Sequence, residues 1–351
     1  MIVISVGVGI TFNLASAEGS GGDPIRPNLE RTFQVTGALS YGDIDIYKDQ
    51  VITFFRGVPQ LKAVGLYESL QTDFDTKYVH WLHDVGLPAD PIVIHSESGV
   101  LYMLDQVQLY IESSQCFRSL FTRSGTNATK IDRFSNGWVV YDQGPASFVL
   151  ADASCLEGIP QLWGYTFESG SLITSLAAQG TTLFVGRQDS LDLFDISQPP
   201  GLSALGSISH KGRAFDNVQI MEAIGNEAVW VVRNGTVYSL STDPHFLHEP
   251  QPLDTPISGE IRDLRYIETG FVTVTTSEGV LVFDVRESTT NPRLVVHLEA
   301  NGMVQARISS SLTRLVTRGE TGVEIWKVDW LTREQIASRV FVPFVRHADL
   351  Q

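Results

Sequence analysis

Two short apolar runs joined at a polar turn recur along this chain, and no single copy is large enough to bury itself. One copy, LFVGRQDSLDLFDIS, runs from Leu183 to Ser197. VTVTTSEGVLVFDVR and RLVTRGETGVEIWKVD repeat its form further on. An aromatic residue sits fourth in the second run: Tyr110 in VQLYIES, then Phe194, Phe283 and Trp326. Their separations are 84, 89 and 43 residues, so a further copy is hidden in each of the first two gaps. These copies are GWVVYDQGPASFVLADAS from Gly137 and AVWVVRNGTVYSLST from Ala228. A less regular one, QVITFFRGVPQLKAVG, begins at Gln50. The chain from Arg31 to the C-terminus therefore reads as seven units of about 40 to 48 residues each.

Within a unit the local chemistry is that of strands. Asn234-Gly235 lies between runs rich in Val, and both residues tolerate the positive φ that a type I′ hairpin turn needs. Glu278-Gly279 and Thr321-Gly322 are read into the same place, as is Asp189-Ser190. A less regular apolar run stands on either side of each hairpin. In the sixth unit these are IRDLRYIE and RLVVHLEA. Four short strands per unit give a small sheet with two apolar faces, and stacking such sheets around an axis buries both. The expected fold is all-β: a seven-bladed β-propeller of four-stranded antiparallel blades, with six or eight blades open because the first unit is irregular. The 18 Phe, 10 Tyr and 6 Trp suit strands. A helical period appears only briefly, in DWLTREQIA from Asp329.

Phe184-Val185, Asp195-Ile196-Ser197, the Pro199-Pro200 turn and Leu205-Gly206-Ser207 together resemble the LVIVD-type repeat of bacterial exported propellers. Asp284-Val285 and Asn291-Pro292 are similarly placed, so the resemblance covers two of the seven units. It implies an exported propeller. Phe194-Asp195, Phe283-Asp284 and Trp326-Lys327 are similar to the strand-ending dipeptide of WD repeats. The Gly-His element and the His and Ser/Thr pattern of that family are missing.

The N-terminal segment reads as a signal peptide over residues 1–17: an apolar run ends at Ala15-Ser16-Ala17, although no Lys or Arg precedes it. Residues 18–30 then read as a flexible leader, and 31–351 as a single propeller domain. No stretch is long enough for a comfortable membrane span. Cys116 and Cys155 can form one disulfide in an exported protein or stand as separate buried thiols. Both follow the second apolar run of successive units, so a bond needs loop excursions.

A net charge of −15, with no Lys/Arg cluster, excludes nucleic acid as a natural partner. Nucleophile elbows, phosphate loops, calcium loops and zinc-helix spacings are all absent from the sequence. Two H-x-x-H pairs remain. His80 and His83, followed by Asp84, would point to opposite faces of a strand. His245 and His248, followed by Glu249, lie in a loop and are the weak metal candidates. Asp43 and Asp45 share one face of an expected strand, either as paired carboxylates for acid–base work or as a solvated edge. Arg187 and Arg233 recur at matching strand ends, with Arg318 near a third such place, which blade geometry explains better than an anion site does. Asn127-Ala128-Thr129 and Asn234-Gly235-Thr236 fit the glycosylation pattern, the second doubling as a turn.

No catalytic or cofactor-binding residue emerges, and no cofactor is named. The reading is a secreted or cell-envelope propeller, monomeric, binding protein or envelope glycan without catalysis. The alternatives are an exported, metal-assisted hydrolase of lactonase-like or sugar-acting type, and an intracellular WD-like scaffold. Carboxylates or histidines from three or more blades converging on the mouth of the central channel would favour the enzyme.

Overall fold

The computed structural model is all-β. It describes residues 28–36, 41–47, 50–55, 60–65, 93–97, 100–104, 108–112, 117–121, 130–134, 137–154, 162–168, 171–225, 227–241, 249–254, 257–267, 269–319 and 322–329. The described strands form six four-stranded sheets, one three-stranded sheet and one two-stranded ribbon, all antiparallel.

The first strand, β1 (Asn28–Thr36), is set aside from its sequence neighbours. The three-stranded sheet follows with β2 (Tyr41–Tyr47), β3 (Gln50–Phe55) and β4 (Gln60–Gly65). Next come β5 (Val93–Glu97), β6 (Val100–Leu104), β7 (Gln108–Glu112) and β8 (Phe117–Phe121). The third sheet holds β9 (Ile131–Phe134), β10 (Trp138–Asp142), β11 (Ser147–Asp152) and β12 (Leu162–Thr166). The fourth holds β13 (Ile173–Gln179), β14 (Thr182–Arg187), β15 (Leu191–Asp195) and β16 (Ser203–Ser207). A ribbon of β17 (Ser209–His210) and β18 (Arg213–Ala214) interrupts the series. The fifth sheet is β19 (Val218–Ile224), β20 (Ala228–Arg233), β21 (Thr236–Ser241) and β22 (Gln251–Pro252). The sixth is β23 (Ile261–Ile267), β24 (Phe271–Thr276), β25 (Gly279–Asp284) and β26 (Arg293–Glu299). The last is β27 (Met303–Ile308), β28 (Arg314–Gly319) and β29 (Gly322–Asp329), on whose far side β1 pairs, Asn28 opposite Asp329 and Thr36 opposite Gly322.

The core lies between sheets rather than at one centre. Leu104, Leu109 and Ile111 pack on Val139, Tyr141 and Val149. Val140, Phe148 and Leu150 pack on Leu183, Val185 and Phe194. Trp230 and Val232 meet Val272, Leu281 and Phe283. Val280, Val282 and Val296 meet Ala306, Leu315 and Trp326. Ile44 and Val51 of the three-stranded sheet pack on Val316, Val323 and Ile325 of the last sheet. The recurring aromatic of the sequence now has a cause: Phe194, Phe283 and Trp326 each fill the layer between their own sheet and the preceding one. The side chain of Tyr110 lies outside what is described.

The first strand of each sheet touches the first strand of the next. The contacts run β2 to β5, β9, β13, β19, β23 and β27, and β27 touches β2. Asn234 and Gly235 have φ of 50° and 75° in a two-residue loop between Arg233 and Thr236, as their chemistry predicts. The sixth unit differs by one position. Thr276 pairs with Gly279, so Ser277-Glu278 is the loop and Gly279 opens the strand. The strand β1 begins at Asn28, three residues inside the expected leader, because Leu29 packs on the core of the last sheet. The expected signal peptide, Cys116, Cys155, His80, His83, Asp84, Asn127 and the segment after Asp329 lie outside the described residues.

Candidate functional site

The first strands carry polar residues among their apolar ones, and these side chains stitch neighbouring sheets. Asp43 Oδ2 accepts the Ile94 N–H at 2.8 Å and Asp45 Oδ2 accepts the Ser96 N–H at 2.6 Å. Asp132 takes the Ala178 N–H, Ser175 the Met221 N–H and Glu222 the Tyr266 N–H, at 2.8, 2.9 and 3.0 Å. Gln305 Oε1 accepts from the Ile44 N–H at 3.2 Å, joining β27 to β2. A carboxylate that receives backbone donors is held as an acceptor and is satisfied without water.

Three cations cross between these strands. Arg265 donates to Asp45 Oδ2 at 3.1 Å, to the Ser96 carbonyl at 2.9 Å and to His95 Nδ1 at 2.6 Å, and it lies 3.8 Å from Glu222. Arg307 donates to Asp263 and stands 3.7 Å from Asp45 and 3.9 Å from Asp43. Lys130 donates to Glu222 at 2.9 Å and to the Met221 carbonyl. Gln305 donates to Asp43.

Burial and the Arg265 charge push the His95 imidazole well below its ordinary value, so it is neutral and its Nδ1 is the acceptor. Burial would raise the Glu222 carboxyl, but Lys130 and Arg265 outweigh it and hold it below the usual range. Burial raises Asp263 to about 6, with Arg307 only partly opposing. Burial alone would weaken the Arg307 proton; Asp263, Asp45 and Asp43 hold it firmly. Among the described residues, four carboxylates thus face three cations, and Asp263, though paired with Arg307, is the one that burial leaves raised.

This corrects the reading of Asp43 and Asp45. They do share a face, but as stitches to β5; Asp45 is 4% exposed and Asp43 is half-buried. They are not a solvated edge, and their oxygens are engaged by backbone donors and guanidinium groups. Carboxylates and a histidine do converge from several sheets, yet each has a structural partner. One sequence signal could have revealed them: a polar residue recurring within each unit's otherwise apolar first run.

The other candidates are dispersed. His245 and His248 lie outside the described residues. Glu249 accepts from the Lys211 N–H at 2.9 Å and lies 3.5 Å from His210 Nδ1. Among the described residues no group of three His, Cys, Asp or Glu is arranged to hold a metal ion. Arg187 stacks 4.4 Å above Phe167 and pairs with Asp192 at 2.7 Å; Arg233 stacks 4.7 Å above Phe215 and pairs with Asp216. Their recurrence serves the links between sheets. Arg318 stands opposite Gln305 in the ladder.

The outer surface is uneven. Trp163, Leu172 and Leu205, exposed by 50%, 40% and 44%, are the exposed large apolar side chains among the described residues. They belong to β12, the link to β13, and β16, hence to two successive sheets. Trp163 stands opposite Leu150 and Tyr165 opposite Phe148, so both lie on the face that meets the next sheet. Ala204 stands opposite Phe194 on the answering face.

These features define an all-β protein of the β-propeller-like class, built mainly of four-stranded antiparallel sheets. The chain is similar over 87% of its length to PorZ of Porphyromonas gingivalis, a bacterial surface component of the type-IX secretion system (TM-score 0.58, 13% identity); the match spans 39% of PorZ. It is similar to the Pan2 WD40 domain of Neurospora crassa (0.57, 9% identity, 88% of this chain and 98% of that one). A chain of the mitotic checkpoint complex also matches (0.55, 12% identity, 91% and 98%). No protein-family model and no curated protein sequence matches the chain. At such identities the likeness establishes the fold, and propellers host many functions. Among the described residues, no helix is long and apolar enough to cross a membrane.

Proposed function

We propose that this chain is a secreted or cell-envelope β-propeller of seven blades that binds a protein or envelope glycan without catalysing a reaction. The blade count is supported by the return of β27 to β2 and by the clasp of β1 on β29. Export is supported by the signal-like residues 1–17 and by the LVIVD-like residues around Asp195 and Asp284. The likeness to a bacterial surface component fits the same location.

One observation carries the binding reading. The polar groups that converge from the first strands are engaged with one another and with backbone donors, while the exposed large apolar side chains among the described residues, Trp163, Leu172 and Leu205, belong to β12, β16 and the link between their two sheets. A propeller enzyme needs convergent polar groups open to substrate; here the exposed chemistry lies on the outside, where partners dock. The protein acts as a monomeric platform, and a Cys116–Cys155 bond would tie two of its loops.

The test is affinity capture by the full chain from solubilised native envelope, alongside elemental analysis and melts with calcium or EDTA. A specific partner and an EDTA-insensitive melt support the reading. A stoichiometric metal with a melting point lowered by EDTA overturns it in favour of a metal-assisted hydrolase. Export is tested separately: residues 1–30 fused to a reporter without its own signal should carry it out of the cytoplasm, cut after Ala17.

A further inference from the structure

We propose that the outer edge of β16 receives an extended peptide of a partner protein as an added strand. The inference rests on the binding reading and gives it a place and a ligand chemistry. Among the described strands β16 is the terminal one of its sheet, bonded on one side to β15, and all five of its residues are exposed. Its other side presents ladder groups that match an extended backbone and nothing else as well.

Natural sheets protect such edges with charge, proline or shortness. The other outer strands follow that rule: β1 has Glu30 and Arg31, β4 has Lys62, β8 has Arg118, β26 has Arg293 and Glu299, and β22 is Gln251–Pro252. β12, Leu-Trp-Gly-Tyr-Thr, and β16, Ser-Ala-Leu-Gly-Ser, carry neither charge nor proline. These two unguarded strands belong to successive sheets and hold Trp163 and Leu205. Leu205 lies at a bulge, without a ladder partner, where its side chain is free to meet an incoming residue.

Charge fixes the peptide's direction and composition. The ribbon that starts two residues after Ser207 presents Lys211 and Arg213, both exposed, on a protein of net charge −15. An antiparallel added strand starts beside Ser207, so its N-terminal residues lie by that ribbon. The ligand is therefore a segment with acidic residues first, followed by alternating apolar residues that reach toward Trp163 and Leu205.

The experiment uses a phage-displayed library of random dodecapeptides, selected on the full chain. Recovered peptides are then measured by fluorescence anisotropy. Survivors should open with Asp or Glu and then alternate apolar and polar residues. Their affinity should fall by about tenfold or more in Leu205→Lys and in Trp163→Ala. N-methylation of alternate peptide nitrogens should abolish binding. Reversing Lys211 and Arg213 to Glu should weaken binding more at low salt than at high salt. Unchanged melting points would show that the variants fold. Survivors without alternation, or binding indifferent to N-methylation, overturn the proposal. So does a wild-type dimer that Leu205→Lys dissociates, since a second copy would then occupy the edge. If no peptide survives while envelope capture works equally for wild type and Leu205→Lys, the edge assignment falls and the binding reading stands. If both fail, the binding reading falls as well.

Discussion

Replacing Arg265 by Met tests the stitching of the first strands. The side chain is 10% exposed and faces Asp45 and Glu222, whose side chains are 6% and 8% exposed. Met fills similar volume but removes one of the two cations beside each carboxylate, leaving Arg307 near Asp45 and Lys130 on Glu222, and it leaves the Ser96 carbonyl short of a donor. Removing one member of a buried ionic group costs about 3–5 kcal/mol. An unfolding entropy of about 2.1 cal/mol/K per residue gives this 351-residue chain about 0.7 kcal/mol/K at its midpoint, so the expected drop is about 4–7 °C. Differential scanning calorimetry reads it directly. Asp45→Asn added to Arg265→Met should recover part of the loss, because one under-compensated buried charge is gone and an amide oxygen can still accept the Ser96 N–H. Arg286→Met is the control. Its ion pair with Asp284 has the same chemistry, but the Arg side chain is 56% exposed, and such pairs contribute about 1 kcal/mol or less. An Arg265→Met protein melting within about 1 °C of wild type, or no more damaged than Arg286→Met, would refute the argument.

Three further outcomes follow from the same structure. Asp263 has its folded value raised to about 6 from an ordinary 3.8, so its contribution is fully present below 3.8 and is lost as pH rises through 6. Relative to Asp263→Asn, the wild type should lose about 2 kcal/mol between pH 4.5 and 7 in denaturant titrations; an unchanged difference would sink this assignment. A Cβ on Gly186 would stand 2.5 Å from Val218 Cγ1 on the next sheet, so Gly186→Ala should cost about 1–3 kcal/mol, and a neutral melt would show that the sheets can separate there. Phe283, 1% exposed and edge-on to Trp230 at 6.1 Å, should cost about 3–5 kcal/mol on replacement by Ala, read as a lower denaturation midpoint at constant slope.

The fold was legible wherever one residue type does the same work in several units. Phe194, Phe283 and Trp326 recur because each fills an equivalent gap between sheets, and Asn234-Gly235 marks its turn because few other pairs accept two positive φ values. Turn position was less secure where Gly279 served as a strand opener beside the loop rather than within it. The stitching network was hidden for a different reason. Asp45 and Arg265 are 220 residues apart, and the partners of Asp43, Asp132 and Glu222 are backbone N–H groups 44 to 51 residues away. A backbone donor leaves no mark in sequence, so Asp43 and Asp45 read as either chemistry or surface. Likewise, Trp163 and Leu205 look like ordinary strand residues until the register shows that, among the described strands, theirs end their sheets.

The pairing of β1 with β29 has a mechanical consequence. Asn28 and Asp329 face each other at one end of that ladder, so the chain enters and leaves at the same place. Force applied between those two ends acts across the ladder, opening its rungs one after another as a zip opens. The same pairing under load along the strands would resist with all rungs together. An anchor at either end alone leaves the clasp unloaded, whereas tethers at both ends would make it the first part of the molecule to give way.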